Sequence, residues 1–213
     1  METPTVTQPV SDLSLNDLKE KFGLRRDRTD SFFDNWLISP EPLSDYEQQA
    51  IARLKNNYEN IIETNPLEEV VKLVVVSPLL DLAGFYQPPF SIRAEVSTKL
   101  VAIEENQTFV GKIDILVVKQ KLWILVIESK QSRFDVTSGI PQALSYMLSQ
   151  PNTESNQDKS RFGMVTNGRE VIFLKLNPQQ LPVYAQSKVY QVIETKEDLI
   201  SILQGLKAIG SYL

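Results

Sequence analysis

The sequence of 213 residues contains no cysteine and no histidine, and each absence restricts its chemistry. Without cysteine, disulfide bonds and thiolate metal sites are excluded, which fits a reducing cytoplasmic location. Without histidine, Ser-His-Asp and Cys-His catalysis, histidine zinc sites and histidine nucleases are excluded as well. Hydrolytic chemistry must therefore come from carboxylates, lysines, hydroxyl groups and a hard cation such as Mg²⁺ or Mn²⁺, which prefers oxygen ligands.

Three further features are missing. No apolar run approaches the ~20 residues needed to cross a bilayer. The chain begins Met1-Glu2-Thr3-Pro4, without a basic stretch and a following apolar segment, so we expect no signal peptide and no membrane association. No G-x-x-x-x-G-K-[ST] loop is present, so we expect no nucleotide cofactor. The apolar content of 42% and charged content of 23% are typical of a soluble globular protein.

The acidic residues are concentrated near the N-terminus. The net charge is −5, which argues against a nucleic-acid partner. However, residues 1–70 hold 7 Lys/Arg and 14 Asp/Glu, whereas residues 71–213 hold 15 and 13. The acidic part therefore lies outside the strand-rich region, which is locally basic and compatible with DNA.

The N-terminal third divides at about residue 43. Residues 1–43 read as a polar arm, with an unstructured stretch over 1–12, a short helix over 14–22 and a helical turn over 31–37. Residues 44–213 read as one domain. Ser44-Asp45-Tyr46-Glu47 is a capping box that opens a helix to about residue 63. Asn65-Pro66 predicts the start of a second helix, which should end near Gly84.

Strands dominate the remainder. We predict three strands over 90–104, 108–118 and 122–128, the last two forming an antiparallel hairpin across Lys119-Gln120-Lys121. A helix over 136–148 and a polar loop over 151–159 follow. Strands over 162–165 and 171–176 flank the turn Asn167-Gly168, and a strand over 189–193 precedes a helix over 195–209.

Charged residues occur where two of these strands should be buried. Asp114 lies between Ile113 and Ile115, and Glu128-Ser129-Lys130 ends the apolar run of the next strand. Charge on a buried strand is costly unless it is paired or binds a metal. Glu128 and Lys130 are two residues apart and face the same side. The hairpin can bring Asp114 beside Glu128, where two carboxylates repel each other unless a cation lies between them.

Simpler explanations exist for each residue. Asp114 could be paired with Lys112 or Lys130, and Glu128 with Lys130 could be a solvated strand exit. The joint pattern favours a Mg²⁺ site, because Mg²⁺ binds one or two carboxylates together with water and phosphate.

At this point the chain resembles the PD-(D/E)xK nuclease superfamily, and within it the N-terminal nuclease domain of the motor (R) subunit of type I restriction enzymes. The resemblance covers about residues 60–195. Asp114 matches the first acid of the motif, although Ile113 replaces its proline, and Glu128-Ser129-Lys130 matches (D/E)xK. The strand followed by Thr166-Asn167-Gly168 also resembles the family, with a structural role.

Two helices add to the resemblance. The family carries a glutamate on a helix ahead of the strands, and Glu68 fits this position better than Glu69, which lies on the far side of the apolar stripe. Glu68 could instead cap the helix that starts at Asn65. Gln142 and Tyr146 reproduce a Q-x-x-x-Y pair on one helix face, whose alternative is an ordinary amphipathic helix.

The resemblance implies an α/β (α+β) fold of the restriction-endonuclease type, with a mixed central sheet flanked by helices and an N-terminal helical extension. It implies Mg²⁺-dependent DNA cleavage, with Mn²⁺ able to substitute and with the acids Glu68, Asp114 and Glu128 as metal ligands. Lys130 would be catalytic with these acids, and Gln142 and Tyr146 would support the site and touch DNA. Expected partners are DNA and other restriction-system subunits, and a homodimer would supply a second site for the second strand. The motor of the R subunit is not expected here. The alternative is a non-cleaving DNA-binding or protein-interaction module on the same fold.

Overall fold

A mixed β-sheet forms the centre of the computed structural model, which describes residues 6–29, 42–103, 105–119, 122–151 and 159–212. Within those residues the sheet has nine strands in the order β1-β4-β5-β6-β7-β8-β2, with β3 paired to β4 and β9 to β7. The strands are β1 (Val6–Pro9), β2 (Arg25–Arg26), β3 (Phe90–Ala102), β4 (Gln107–Lys119), β5 (Leu122–Ser129), β6 (Arg161–Thr166), β7 (Glu170–Asn177), β8 (Val183–Gln186) and β9 (Tyr190–Gln191). The pairs β1–β4, β5–β6 and β2–β8 are parallel, and the other pairs are antiparallel.

Six α-helices accompany the sheet in the described residues: α1 (Leu15–Phe22), α2 (Asp45–Glu59), α3 (Glu68–Val71), α4 (Ser77–Leu82), α5 (Ile140–Leu148) and α6 (Lys196–Ser211). A π-helical turn (Lys72–Val76) joins α3 to α4, and a 3-10 turn (Val136–Gly139) leads into α5. Residues of α2, α3, α4 and α6 belong to one buried cluster, the first core. Residues of α1 and α5 belong to another, the second core.

Alternate residues of the central strands supply the two cores. In β5, Leu125 and Ile127 lie in the first core, whereas Val126 lies in the second. This alternation follows from the two-residue period of a strand and shows that β5 is covered on both faces. The predicted α/β architecture, a mixed sheet flanked by helices, is therefore confirmed.

The predicted elements differ most from the structure near the N-terminus. The capping box at Ser44 is present, with the Ser44 hydroxyl accepting from the Glu47 N–H. By contrast, residues 6–12 form β1 and a 3-10 turn, because β1 pairs with β4, so the unstructured stretch predicted for 1–12 is wrong from Val6 onward. The predicted division at residue 43 stays a prediction, since the helical turn over 31–37 lies outside the described residues. Most of the predicted loop 151–159 and the tip of the β4–β5 hairpin also lie outside them.

The last predicted strand and helix are present, as β9 and α6, and a strand that the sequence did not predict, β8, lies beside β7. No helix of the described residues is long and apolar enough to cross a membrane.

Candidate active site

The β4–β5 hairpin brings the two strand acids together. Its register pairs Ile115 with Ile127, so Asp114 and Glu128 occupy adjacent positions at the next step along the strands. The backbone N–H of Ser129 donates to Asp114 Oδ2 over 2.7 Å. The antiparallel hairpin predicted from the sequence is thus present, and it fixes the first acid against the Glu-Ser-Lys segment.

The side chains of β3 change the core that they contact near Glu95, the residue opposite Asp114. Ala94 pairs with Ile115 and Val96 with Ile113, which places Glu95 opposite Asp114. Glu95 has a φ of 52°, a left-handed conformation that is unfavourable for residues other than glycine. Even-numbered residues of β3 then change core: the first core contacts Phe90 and Ile92, and the second contains Leu100 and Ala102 and contacts Val96. At this point of β4, Asp114 is half-buried and lines a cavity together with Gly111 and Lys112.

Glu128 is the most buried acid of the site. It is 1% exposed, and its Oε2 atom has no hydrogen-bond partner among the described residues. Burial, and then the charge of Asp114, raise the pKa of Glu128 to about 8 against the opposing effect of Lys130. Burial also raises the pKa of Asp114 to about 6, although the Ser129 N–H favours its ionised form. The charge of Glu68 also raises the pKa of Asp114, just as Asp114 raises that of Glu128, as expected for close acids without a cation between them.

Lys130 connects the acids to helix α5. Its Nζ donates to Glu128 Oε1 over 2.5 Å and to Gln142 Oε1 over 2.9 Å. Gln142 Nε2 in turn donates to the Tyr146 hydroxyl over 2.8 Å. Tyr146 is buried, and this burial raises its pKa, so it stays neutral. The Q-x-x-x-Y pair thus holds the Lys130 ammonium in place.

Two glycines allow α5 to approach the strands closely. A Cβ atom at Gly139 would lie 2.6 Å from Val165 Cγ1 and 3.4 Å from Lys130 Cε. A Cβ atom at Gly111 would lie 2.9 Å from the Tyr146 ring. Side chains at these two positions would push the start and the centre of α5 away from the acids.

The turn after β6 is hydrogen-bonded to the Glu128-Ser129-Lys130 segment and to the residues that follow it. The Lys130 N–H donates to the Thr166 carbonyl over 2.7 Å, and Asn167 Nδ2 donates to the Phe134 carbonyl over 2.8 Å. Gly168, with a φ of 85°, lies against Tyr58, where a Cβ atom would be 2.2 Å from the hydroxyl. These contacts agree with the structural role predicted for Thr166-Asn167-Gly168.

Glu68 reaches the site from the start of α3, and it does not cap the helix. Asn65 is left-handed, and the N-cap residue is Leu67, which makes no side-chain capping bond, so the predicted helix start at Asn65-Pro66 is wrong. Glu68 instead accepts from Lys72 Nζ over 3.2 Å. Its neighbour Glu69 is more exposed. Since the capping position is taken by another residue, the capping explanation for Glu68 does not hold.

Lys72 stands between three carboxylates. Its Nζ lies 3.2 Å from Glu68 Oε1 and 3.7 Å from both Asp114 Oδ1 and Glu95 Oε1. Partial burial lowers its pKa, but Asp114 and Glu68 outweigh this effect and raise it. Lys72 is therefore a cation at the edge of the acid pair.

Two adjoining hollows surround these residues. The first, the acid cavity, has a volume of about 370 Å³, and its walls include Pro9, Val10, Glu68, Lys72, Asp114, Gln142 and Tyr146. The second, the lysine groove, has a volume of about 690 Å³ and is lined by Ser97–Lys99, Val110–Lys112, Trp123, Ser149 and Pro151. Both include Val110–Lys112, so the groove leads from the acids along β4.

Comparison with known proteins gives the family. A family model described as type I restriction enzyme R protein N terminus matches residues 29–180, more than half of the chain. The chain belongs to this family. Comparison of this R-protein N-terminal chain with curated proteins gave no match.

A solved structure similar to the present chain is a fragment of a protein assigned as the HsdR subunit of a type I restriction enzyme from Vibrio vulnificus YJ016. It has 21% sequence identity and a TM-score of 0.41, and the match covers 66% of the present chain. The present chain spans 26% of that structure's chain. At this score the likeness carries no further conclusion.

Four of the site residues predicted from the sequence line the acid cavity: Glu68, Asp114, Gln142 and Tyr146. Glu128 and Lys130 are not part of its lining, but direct contacts join them to these residues. Asp114, Glu128, Lys130, Gln142 and Tyr146 form one connected set of neighbours. Glu68 is joined to Asp114 through Lys72. Among the residues that the structure describes, no group of three acidic side chains is arranged as a ready metal site, so the assignment of ligands stays a prediction.

Sequence reasoning missed Lys72 and Glu95. The spacing of Lys72 four residues after Glu68 is a signal for an ion pair on a helix, and it could have drawn attention to this lysine. No comparable signal exists for Glu95, because its position depends on the register between β3 and β4.

Proposed function

We propose that this chain is a Mg²⁺-dependent nuclease that hydrolyses phosphodiester bonds in DNA, with Mn²⁺ able to replace Mg²⁺. One observation carries the proposal. Glu128 is buried beside Asp114, and one of its carboxyl oxygens has no hydrogen-bond partner among the described residues, although leaving a buried polar atom unpaired is costly. A protein keeps such an arrangement where it has a use, and strongly raised pKa values often mark active sites.

The residues present fit a divalent cation. Asp114 Oδ1 and Glu128 Oε2 are oxygen atoms without a short hydrogen bond among the described residues, and the Ser129 carbonyl follows Glu128 directly in the chain. Mg²⁺ typically takes one or two carboxylates and completes its coordination with water and substrate phosphate. Asp114 and Glu128 would hold the ion with the Ser129 carbonyl, and Glu68 would join through the cavity. When bound, such an ion withdraws charge from the phosphate and makes a water more acidic.

Lys130 supplies the remaining charge. Its ammonium is held by Glu128 Oε1 and Gln142 Oε1, which leaves one of its three donors for a water or a phosphate oxygen. A donor fixed before the reaction stabilises developing charge without reorganising. Gln142 sets the direction of this donor, and Tyr146 fixes Gln142.

The lysine groove offers a path for the DNA strand. Lys99 and Lys112 are exposed on its wall, and its lining contains no acidic residue among those described. Lysines contact backbone phosphates, and a half-buried aromatic ring such as Trp123 provides a surface on which a base can stack. The groove meets the acid cavity at Val110–Lys112, so a strand in the groove would lead its backbone to the acids.

Family membership supports the remaining parts of the proposal. As a member of the R-protein N-terminal family, the chain would act with other restriction-system subunits in the cytoplasm. A homodimer would place a second acid site for the second strand.

Cleavage of supercoiled plasmid and linear DNA with Mg²⁺ or Mn²⁺ tests the function. Wild-type protein should cleave, and Asp114→Ala and Lys130→Ala should each reduce the rate by at least ~100-fold, because each removes a reacting-site charge. Lys188→Ala, which removes an exposed lysine paired with Asp198, is the control and should cleave normally. Unchanged cleavage by Asp114→Ala or Lys130→Ala would reject the assignment.

A binding measurement separates cleavage from mere attachment. Mn²⁺ should raise the melting temperature of the wild type, because a ligand that binds only the native state stabilises it. Glu128→Gln should lose this increase. DNA binding without cleavage and without any effect of metal would favour the non-cleaving binding module instead.

A further inference from the structure

The surroundings of Lys72 differ from those of an ordinary helix ion pair. The side chain is only 18% exposed, and its three carboxylate partners come from three elements: Glu68 from α3, Glu95 from β3 and Asp114 from β4. Lys55 and Glu59, a pair with the same spacing on α2, lie 3.6 Å apart and are 29% and 44% exposed with no third partner among the described residues. Lys72 is therefore a shared counterion, and the Lys55–Glu59 pair is a surface contact.

Two backbone irregularities bring this counterion to the acids. Lys72 is the first residue of the π-helical turn, a rare conformation that often occurs at functional sites. Glu95 is the left-handed residue opposite Asp114 in the β3–β4 pair. Lys72 and Glu95, the residues at these two irregularities, contact each other through the Lys72 ammonium.

The Lys72 ammonium also lies beside the carboxylate oxygen that a metal ion would bind. Lys72 Nζ approaches Asp114 Oδ1, whereas the other oxygen, Oδ2, is engaged by the Ser129 N–H. Asp114 Oδ1 is thus the oxygen left for a cation, and Lys72 already neutralises it. Glu68 and Glu95 would still hold the ammonium if Asp114 changed partner.

We propose that Lys72 is a positioning residue that neutralises Glu68 and Asp114 while the site holds no divalent cation, and that it competes with the cation for Asp114. This inference rests on the proposed metal-dependent function. Lys72 keeps the acids in place before metal binds and weakens metal binding in return. After the exchange, its ammonium remains in the acid cavity between Glu95 Oε1 and Glu68 Oε1, and Glu68 would reach the metal ion through its other oxygen, Oε2.

Calorimetric titration with Mn²⁺ in the absence of DNA tests the competition. Lys72→Met removes the charge and keeps the side-chain length, so it should bind Mn²⁺ more tightly, on the order of tenfold. Lys72→Arg keeps the charge and should bind within about twofold of the wild type. Lys112→Met is the matched control, since Lys112 lines the same cavity and makes no ion pair within the described residues. It should change the affinity by less than about twofold, because an exposed, unpaired charge interacts weakly.

A double-mutant cycle locates the effect at Asp114. In an Asp114→Asn background, Lys72→Met should no longer tighten Mn²⁺ binding, because the contested oxygen has lost its charge. If Lys72→Met does not fold, Lys72→Gln replaces it with the same expected direction. A purely structural role for Lys72 would lower the melting temperature without tightening metal binding.

The outcomes distinguish the two proposals. If the wild type binds Mn²⁺ and Lys72→Met binds it equally or more weakly, the inference fails while the proposed function stands. If neither protein binds Mn²⁺, both fail. If Lys112→Met tightens binding as much as Lys72→Met, general electrostatics explains the gain and the specific competition is rejected.

Discussion

Replacing Glu128 by glutamine should stabilise the metal-free protein, and the gain should grow with pH. Most substitutions of a buried, hydrogen-bonded residue destabilise a protein. Here the native state raises the pKa of Glu128 to about 8 from an ordinary value of 4.5. Folding therefore favours the protonated form, and glutamine resembles that form in shape and in its lack of charge.

The sign follows from the number of bound protons. Between pH 4.5 and pH 8, the native state retains a proton on Glu128 that the unfolded chain has lost. The stability associated with this group is complete below the unfolded pKa and is lost as the pH rises toward the folded pKa. At ~1.4 kcal/mol per pH unit, the loss between the ordinary pKa of 4.5 and pH 7 amounts to at most about 3.5 kcal/mol. Glutamine has no proton to lose, so the variant lacks this slope.

Urea unfolding at pH 5, 6, 7 and 8 with a chelator present measures the effect. The free energy of unfolding of Glu128→Gln minus that of the wild type should increase steadily over this range. Glu47→Gln is the control. Partial burial raises the Glu47 pKa, but contacts with Lys207 and Ser44 outweigh this and leave it lowered. Its loss should therefore destabilise the protein by a constant amount between pH 5 and pH 8.

A Glu128→Gln difference that stays flat or falls with pH would refute the reasoning. It would mean that Glu128 is ionised in the metal-free protein, with Lys130 neutralising it fully. In that case its unpartnered oxygen would no longer argue for a missing cation.

Three further predictions concern the packing of α5, the Gln142–Tyr146 pair and the lysine groove. Gly139→Ala should lower the free energy of unfolding by about 1–3 kcal/mol, measured by thermal melting, because its Cβ would lie 2.6 Å from Val165; an unchanged melting temperature would contradict the close packing of α5. Tyr146→Phe removes the hydroxyl that accepts from Gln142, and it should reduce kcat more than it raises KM in the cleavage assay, whereas a change in KM alone would assign Tyr146 to DNA binding. Trp123→Ala should weaken binding of single-stranded DNA several-fold in fluorescence anisotropy with Ca²⁺ in place of Mg²⁺, and equal binding would exclude stacking in the lysine groove.

Much of the site could be predicted from the sequence because its information is local. The position of Asp114 relative to Glu128 depends on a short hairpin, and the position of Glu128 relative to Lys130 depends on strand alternation. The contact between Gln142 and Tyr146 needs only the period of one helix. Each of these relations joins residues close together in the chain.

The features that the sequence did not reveal depend on distant pairing. Strand β1 is polar and short, and only its pairing with β4, about a hundred residues later, makes it a strand. The pattern Asn65-Pro66-Leu67 satisfies the usual preferences for a helix start at Asn65, but the preceding 3-10 turn takes Asn65 into the left-handed region, and the helix begins after Leu67. Lys72 meets Asp114 only because the π-helical turn after α3 lies beside the Glu95–Asp114 position of the β3–β4 pair, which no local pattern specifies.

The N-terminal strand gives the chain an unexpected sensitivity to trimming. Pro9 and Val10 form part of the wall of the acid cavity, and Val10 lies against Gly111 on the floor that β4 provides. A version shortened past residue 12 would remove that wall and let water reach the acids from a new side. Such a deletion would behave as an active-site mutation, although it removes no acid or lysine of the site.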